Sequence, residues 1–144
     1  MRYRIRKLTI DDYDDLITLW KRSGLSHRPN GRDSREALEP EMKRAETFFL
    51  GMFDGDKMIG SVLGSSDGRK GWINRLAIDP DYRGKGLAGQ LIDDCEKCLY
   101  DLGLKVIAAL IEGDNKSSES AFVKSGYSYA KNIKYYSKRC SADD

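Results

Sequence analysis

The chain has 144 residues, 40% of them hydrophobic and 33% charged, and a formal net charge of +2. That length suits one domain, residues 1–144, able to bury a core of its own, and Lys and Arg interleaved with acids offer no clustered basic face for a nucleic acid. Nothing approaches the roughly 20 apolar residues of a membrane span, and the basic stretch Met1–Lys7 leads into no apolar secretory segment, so the cytoplasm is the expected location.

The alternation in Arg2–Leu8 predicts a first strand. Thr9 followed by Asp12 resembles a capping box. The helix it opens runs to about Arg22, with Tyr13, Leu16, Ile17, Leu19 and Trp20 on its apolar side, and Gly24 ends it. Gly24–Asp33 carries His27, Arg28, Pro29, Asn30 and Arg32 and reads as a long loop, of the kind that often serves function. A weakly amphipathic second helix is expected over Ser34–Thr47, broken near Pro40.

A meander follows. Phe48–Phe53 and Met58–Ser65 flank the turn Asp54-Gly55-Asp56. Asp67-Gly68 turns into a third strand, Trp72–Ile78, which Asp79-Pro80 stops. Leu87–Leu102 is the strongest helix: Leu87, Leu91, Cys95, Leu99 and Leu102 share one face, with Ile92 alongside. Lys105–Ile111 is almost continuously apolar, as in a strand buried on both faces. Asn115–Lys124 reads as a short helix closed by Ser125-Gly126, and Tyr127–Lys138 as a last strand. The predicted order is β-α-α-β-β-β-α-β-α-β, an α/β (α+β) chain.

The odd count of three cysteines and the lack of a secretory segment argue against a disulfide framework. Cys95 and Cys98 sit in mid-helix, whereas a redox pair sits at a helix N-terminus, where the dipole lowers the thiol pKa. No cysteine or His27 has metal-ligand spacing, so no metal is expected. His27 reads as a surface residue of its loop.

The chemistry concentrates in Leu76–Gly89, LAIDPDYRGKGLAG. Here a strand ends, a short turn follows, and the strongest helix begins. Gly84, Gly86 and Gly89 leave amides unshielded where a phosphate can approach. The helix start adds roughly half a positive charge, and Arg83 and Lys85 add whole ones. The pattern describes an anion site for a diphosphate-bearing ligand. Gly84, Gly86 and Gly89 also satisfy the dinucleotide fingerprint. The context opposes it: Asp79–Arg83 intervene between strand and glycines, a meander precedes them, and too little chain follows for a doubly wound sheet. A triphosphate P-loop is excluded because no G-x-x-x-x-G-K-[ST] string exists. A helix start that merely needs glycines would not require Arg83 and Lys85 as well.

The run Arg83-x-x-Gly86-x-Ala88, after a strand and opening a helix, resembles the acyl-coenzyme A motif of the GNAT superfamily of N-acetyltransferases, whose signature is Gln or Arg, two residues, Gly, one residue, then Gly or Ala. Asn115 with Ser125-Gly126-Tyr127 resembles the family's final signature, and the resemblance spans essentially the whole chain. Thr18-Leu19-Trp20, Ser66-Asp67-Gly68 with Gly71, and Tyr82-Arg83-Gly84 resemble small bacterial members of the YpeA type.

The resemblance implies a GNAT-like mixed, mostly antiparallel central sheet with helices on both faces, and acetyl-CoA as cosubstrate. Leu76, Ala77 and Ile78 would hold the pantetheine arm, and Arg83, Gly84, Lys85, Gly86, Leu87, Ala88 and Gly89 the pyrophosphate. Asn115 would touch the arm or cap its helix. A V-shaped gap would open between Trp72–Ile78 and Lys105–Ile111. An amine acceptor, a small molecule or a protein N-terminus, would attack the thioester directly. A monomer or homodimer would suffice. A backbone N–H near Leu76 or Ala77 would stabilise the oxyanion.

Many members place a Tyr at the position of Phe122 to protonate the leaving thiolate; phenylalanine cannot. Tyr127, Tyr129, Tyr135 or Tyr136 could substitute, with Tyr129 the leading candidate, or water could serve. Glu112, at the end of the Lys105–Ile111 strand, is the candidate base, with Asp67 a weaker one because a turn Asp before Gly already has a structural reason. If Phe122 leaves the site without its acid, the alternative is an acyl-CoA-binding module without turnover. The arginines of Gly24–Asp33 suggest an acceptor carrying an acidic group.

Overall fold

A computed structural model describes residues 3–113 and 115–144; Arg2, expected in the first strand, lies outside them. Five strands form one sheet in chain order: β1 (Arg4–Lys7), β2 (Thr47–Asp54), β3 (Lys57–Ser66), β4 (Gly71–Ile78) and β5 (Ile107–Ala109). The first four are antiparallel, and β5 joins β4 in parallel. The helices are α1 (Tyr13–Ser23), α2 (Arg35–Met42), α3 (Leu87–Asp101) and α4 (Lys116–Lys124). This is the expected mixed, mostly antiparallel α/β class.

Strand alternation builds a core on each face. Phe49 and Phe53 of β2 point to α1 and α2, where Leu16, Leu19, Trp20, Leu38 and Met42 are buried. Leu50 and Met52 point to α3, whose Leu87, Leu91, Ile92, Cys95 and Leu99 are buried as the helical period requires. α3 lies close on β3 because Gly64 has no side chain there: a Cβ would stand 2.5 Å from the Cys95 sulfur. Leu102, expected on that apolar face, remains partly exposed beyond the helix end.

Local signals set the helix ends. Asp12 accepts from the Thr9 N–H at 2.9 Å, and one 3-10 turn over Ile10–Asp12 leads into α1. Gly24 adopts the left-handed C-cap at φ 80°. Ser34 caps α2 through the Ala37 N–H at 3.2 Å. Helix α2 is shorter than expected: Pro40 lies inside it and it stops at Met42, leaving Thr47 to begin β2.

The last strand expected over Tyr127–Lys138 does not form; no strand follows α4 among the described residues. β5 is only three residues long, so it offers little ladder to a further strand. Tyr127 is held elsewhere, its hydroxyl donating to Glu96 at 2.6 Å and its ring edge-on to Phe122 at 5.0 Å. The tail runs back to the loop after α1, where the Arg28 guanidinium donates to the Ala142 carbonyl at 3.3 Å.

Candidate functional site

β4 and β5 pair only at Gly71–Ile107, Trp72–Ala108 and Ile73–Ala109. Beyond Ile73 the strands diverge, so Asn74–Ile78 has no ladder partner on that side among the described residues. The expected gap is therefore present. β4 also carries a bulge. Ser61 faces Ala77 and Leu63 faces Asn74, so three steps on β4 oppose two on β3. Ile73 and Leu76 consequently share one core despite their odd spacing. Arg75 sits in the bulge at φ 56°, a left-handed conformation that a non-glycine residue adopts at a cost of about 1 kcal/mol or more. Asp79 N–H donates to the Ile59 carbonyl at 2.8 Å, towards β3. By alternation along the strand, the backbone groups of Ile78 and Leu76 turn to the gap.

Two cavities meet there. The first, about 620 Å³, lies between the end of β4, the turn into α3, and α4. The second, about 510 Å³, lies between α2, the loop after α1, the bulge and the segment after β5. Leu25, Leu76, Asn115 and Ser118 belong to both walls.

The first cavity has a mouth of main chain, with side chains such as Tyr82, Asp93 and Lys124 around it. Gly84 and Gly86 adopt φ 79° and 75°, angles that favour glycine, and Gly86 supplies no side chain to cap α3. The first α3 amides therefore lack both an intrahelical acceptor and a side-chain cap. Gly89 has another reason to be glycine. Its backbone is ordinary helix, and a Cβ there would meet nothing within 4 Å. A helical glycine costs up to about 1 kcal/mol against alanine. Neither backbone angle nor packing calls for one here, but its bare Cα borders the cavity.

Buried Asp79 fixes the entrance. It accepts two bonds from Arg22, at 3.0 and 3.1 Å, and one from the Asp81 N–H at 2.9 Å. The Arg22 hydrogen bonds, chiefly, hold its carboxyl below the usual carboxylate range despite burial. The Tyr82 hydroxyl donates to Asp54 at 2.7 Å, tying the turn to the β2–β3 hairpin.

Ten of the sequence-predicted residues come together on this wall: Leu76, Ala77, Ile78, Arg83, Gly84, Gly86, Leu87, Ala88, Gly89 and Asn115. Lys85 does not; its ammonium lies over the Tyr82 ring at 5.3 Å, outside the lining. The Arg83 guanidinium donates to the Ser23 carbonyl at 3.1 Å and the Ile78 carbonyl at 3.4 Å. Asn115 caps α4 by accepting from the Ser118 N–H at 3.2 Å.

The second cavity sets six ionised side chains, Arg32, Asp33, Glu41, Arg75, Glu112 and Arg139, among apolar ones such as Trp20, Phe49 and Leu63. Arg75 reaches from the bulge to Asp33 at 2.8 Å, donates to the Ser26 carbonyl and lies over the Trp20 ring at 4.9 Å. Asp33 also accepts from the Arg28 N–H at 2.7 Å. Burial pulls the Arg75 pKa below its ordinary value. Glu112 lines this cavity, 64% exposed at its side chain, 3.8 Å from Arg32. Glu41, from α2, lines it, and its side chain has no hydrogen bond or ion pair among the described residues. Burial first, and Asp33 second, raise its carboxyl above the usual range.

Phe122 is buried and lines the second cavity. Tyr135 also lines it, whereas Tyr129 is 84% exposed and belongs to neither wall. Asp67 stays in its hairpin turn, accepting from the Lys70 N–H, the Trp72 indole and the Arg69 N–H, which bring its pKa to about 2. The buried Cys95 thiol is pushed up to about 12 by desolvation, the opposite of a reactive thiol. Sequence reasoning missed Asp33, Glu41 and Arg75. Only the bulge left a trace, in the odd spacing of apolar Ile73 and Leu76; nothing distinguishes Glu41 from Glu36 and Glu39 along α2.

The chain matches the model of the "Acetyltransferase (GNAT) family" over residues 10–127. It is 32% identical to "Acetyltransferase SG1711" of Sodalis glossinidius over 139 residues, covering 96% of each chain. It is likewise 32% identical to "Acetyltransferase ECA0875" of Pectobacterium atrosepticum over 123 residues, 85% of this chain and 86% of that one. Among solved structures, its fold is similar to the PaiA N-acetyltransferase of Thermoplasma acidophilum in complex with coenzyme A, with a TM-score of 0.80, 24% identity and 92% and 94% of the two chains covered. It is also similar to the aminoglycoside acetyltransferase AAC(6')-Iy in complex with a bisubstrate analog, with a TM-score of 0.78, 19% identity and 97% and 100% coverage. A helix mouth opened by two left-handed glycines, set beside a sheet that splays after three residue pairs, thus stands in a chain that belongs to the GNAT family of acetyltransferases.

Proposed function

We propose that this acetyltransferase, one domain over residues 1–144, carries acetyl from acetyl-CoA to a primary amine on a small molecule or a protein N-terminus, by direct attack. The observation that supports this most is Gly89, a helical glycine at the cavity wall that neither conformation nor packing explains. With Gly84 and Gly86 it leaves the α3 mouth open to a diphosphate. Leu76 and Ile78, turned to the gap, offer backbone groups to the pantetheine arm. Asn115 stands where the two cavities join.

Bound there, acetyl-CoA supplies a thioester carbonyl as electrophile. The Leu76 N–H faces the gap beside the bulge and would donate to the developing oxyanion. The acceptor enters by the second cavity. A Lys-type ammonium has a pKa of about 10.4 and must lose a proton before it can attack. The coenzyme thiol, with a pKa of about 8.5, leaves readily. Tyr127 is engaged with Glu96 and Tyr129 lies outside both cavities, which leaves Tyr135, on the lining of the second cavity, or water as the acid in this reading. No helix among the described residues is long and apolar enough to cross a membrane, and we place the protein in the cytoplasm as a monomer or homodimer.

Calorimetry with coenzyme A, followed by a thiol-release assay with acetyl-CoA over an amine panel, tests the reading. Binding and turnover are expected. Binding without turnover on any amine would leave the alternative, an acyl-CoA-binding module, and no binding at all would remove both.

A further inference from the structure

The second cavity contains three carboxylates, and their surroundings separate them. Asp33 is buried and already committed: one of its oxygens accepts from Arg75 at 2.8 Å and from the Arg28 N–H at 2.7 Å, with Arg32 at 3.7 Å. Glu112 stands in solvent beside Arg32. Glu41 is half-buried on the same wall as Asn74, Arg75 and Leu76, and no cation or donor holds it among the described residues. The cavity's arginines are likewise engaged, Arg75 with Asp33, Arg32 with Asp33 and Glu112, and Arg139 with the Asp144 carbonyl. A cation entering this space therefore meets one carboxylate whose capacity is unspent.

We propose that Glu41 receives the proton of the acceptor ammonium and so acts as the general base of the transfer. The proposal rests on the acetyl-transfer reading above. The ammonium gives one proton to the Glu41 carboxylate and becomes a neutral amine. Its lone pair forms the C–N bond at the thioester carbonyl, and collapse of the tetrahedral adduct breaks the C–S bond. The second amine proton goes to the departing thiolate, directly or through water, and the Glu41 carboxyl returns its proton to solvent. Acetyl-CoA and the ammonium thus yield the amide, free thiol and one proton.

The charged groups acting on Glu41 are Asp33 and Arg32 from the loop, Arg75 from β4 and Arg44 just beyond α2. Asp33 and desolvation disfavour its ionised form while the arginines favour it; the balance lies above the usual carboxylate range, nearer the working pH of a base.

The test measures kcat/KM against pH for the wild type, Glu41→Gln, Glu41→Asp and, as a control on an exposed position of the same helix, Glu36→Gln. The amines are kanamycin, spermidine and n-butylamine, and coenzyme A binding by calorimetry verifies each fold. Glu41→Gln is expected to lose about a hundredfold or more in kcat/KM at neutral pH. It should lose the lower break in the profile, keep its coenzyme affinity, and recover as pH climbs toward the pKa of the amine itself. Glu41→Asp should retain the break at reduced rate. A Glu41→Gln protein with the wild-type profile, or with only KM raised, overturns the role of Glu41 and leaves acetyl transfer standing. A wild type that binds coenzyme A and acetylates none of the amines overturns acetyl transfer and the role of Glu41 with it.

Discussion

The two cavities that meet at Leu76 are made of different materials. One is centred on main chain: two left-handed glycines, the first turn of α3 and the end of β4, which has no ladder partner on its β5 side among the described residues. The other is a wall of side chains drawn from α2, the loop after α1, the bulge and the segment after β5. A backbone wall can present the same amides to the same ligand whatever residues surround it, provided no side chain intrudes. An ionic wall depends on which charges face it and on which of those are already neutralised. On the proposed reading, the first wall suits the coenzyme and the second the acceptor amine.

The comparison breaks most visibly at Asp33. Asp33→Ala leaves the buried Arg75 guanidinium without its counter-ion, at an expected cost of about 3 kcal/mol, measurable by urea unfolding. Acceptor KM should rise, because the loop is no longer fixed to the bulge. A loss below about 0.5 kcal/mol would mean that water replaces the carboxylate and that the ionic wall is looser than described.

Gly89→Ala sharpens the contrast, because its two effects have opposite signs. The helix should gain up to about 1 kcal/mol, seen as a higher Tm. Coenzyme A affinity should fall about tenfold, or 1.4 kcal/mol, in calorimetry. A tighter helix with unchanged affinity would show that the α3 mouth is not the diphosphate site.

Asp79→Asn probes the entrance turn. Its lowered pKa means that the contribution of the carboxylate is present above the unfolded value near 3.9 and fades as pH falls through the lower folded one. The variant should lose about 1 kcal/mol at neutral pH. Its stability should also decline less than the wild type's between about pH 4 and pH 2. Parallel acid limbs would assign the acid sensitivity to other carboxylates.

The smallest effect is expected from Phe122→Tyr. A thiol with a pKa of about 8.5 needs little help in leaving, so kcat should change less than about threefold in the thiol-release assay. A large gain would instead show that the missing acid limits the present protein and would favour the alternative, an acyl-CoA-binding module.

Much of this was legible along the chain. The apolar period from Leu87 to Leu99 specified α3 and its buried face, and the Asp54-Gly55-Asp56 and Asp67-Gly68 turns fixed the meander. The Leu76–Gly89 segment carried its own site, because a strand end, a glycine turn and a helix start are contiguous and need no partner to be recognised. The alternation in Tyr127–Lys138 misled, since a strand also needs an edge to join, and β5 provides only three residues.

Sequence alone therefore determined the elements that local periodicity and backbone freedom dictate, together with the stretch of candidate-site wall that consecutive residues form. Tertiary structure alone decided the register shift at Arg75, the pairing of Asp33 with a residue 42 positions away, and the isolation of Glu41 among engaged charges. The physical reason is range. Torsional preference acts between neighbours in the chain, whereas burial and Coulomb interaction act between neighbours in space, and only folding makes the second set known.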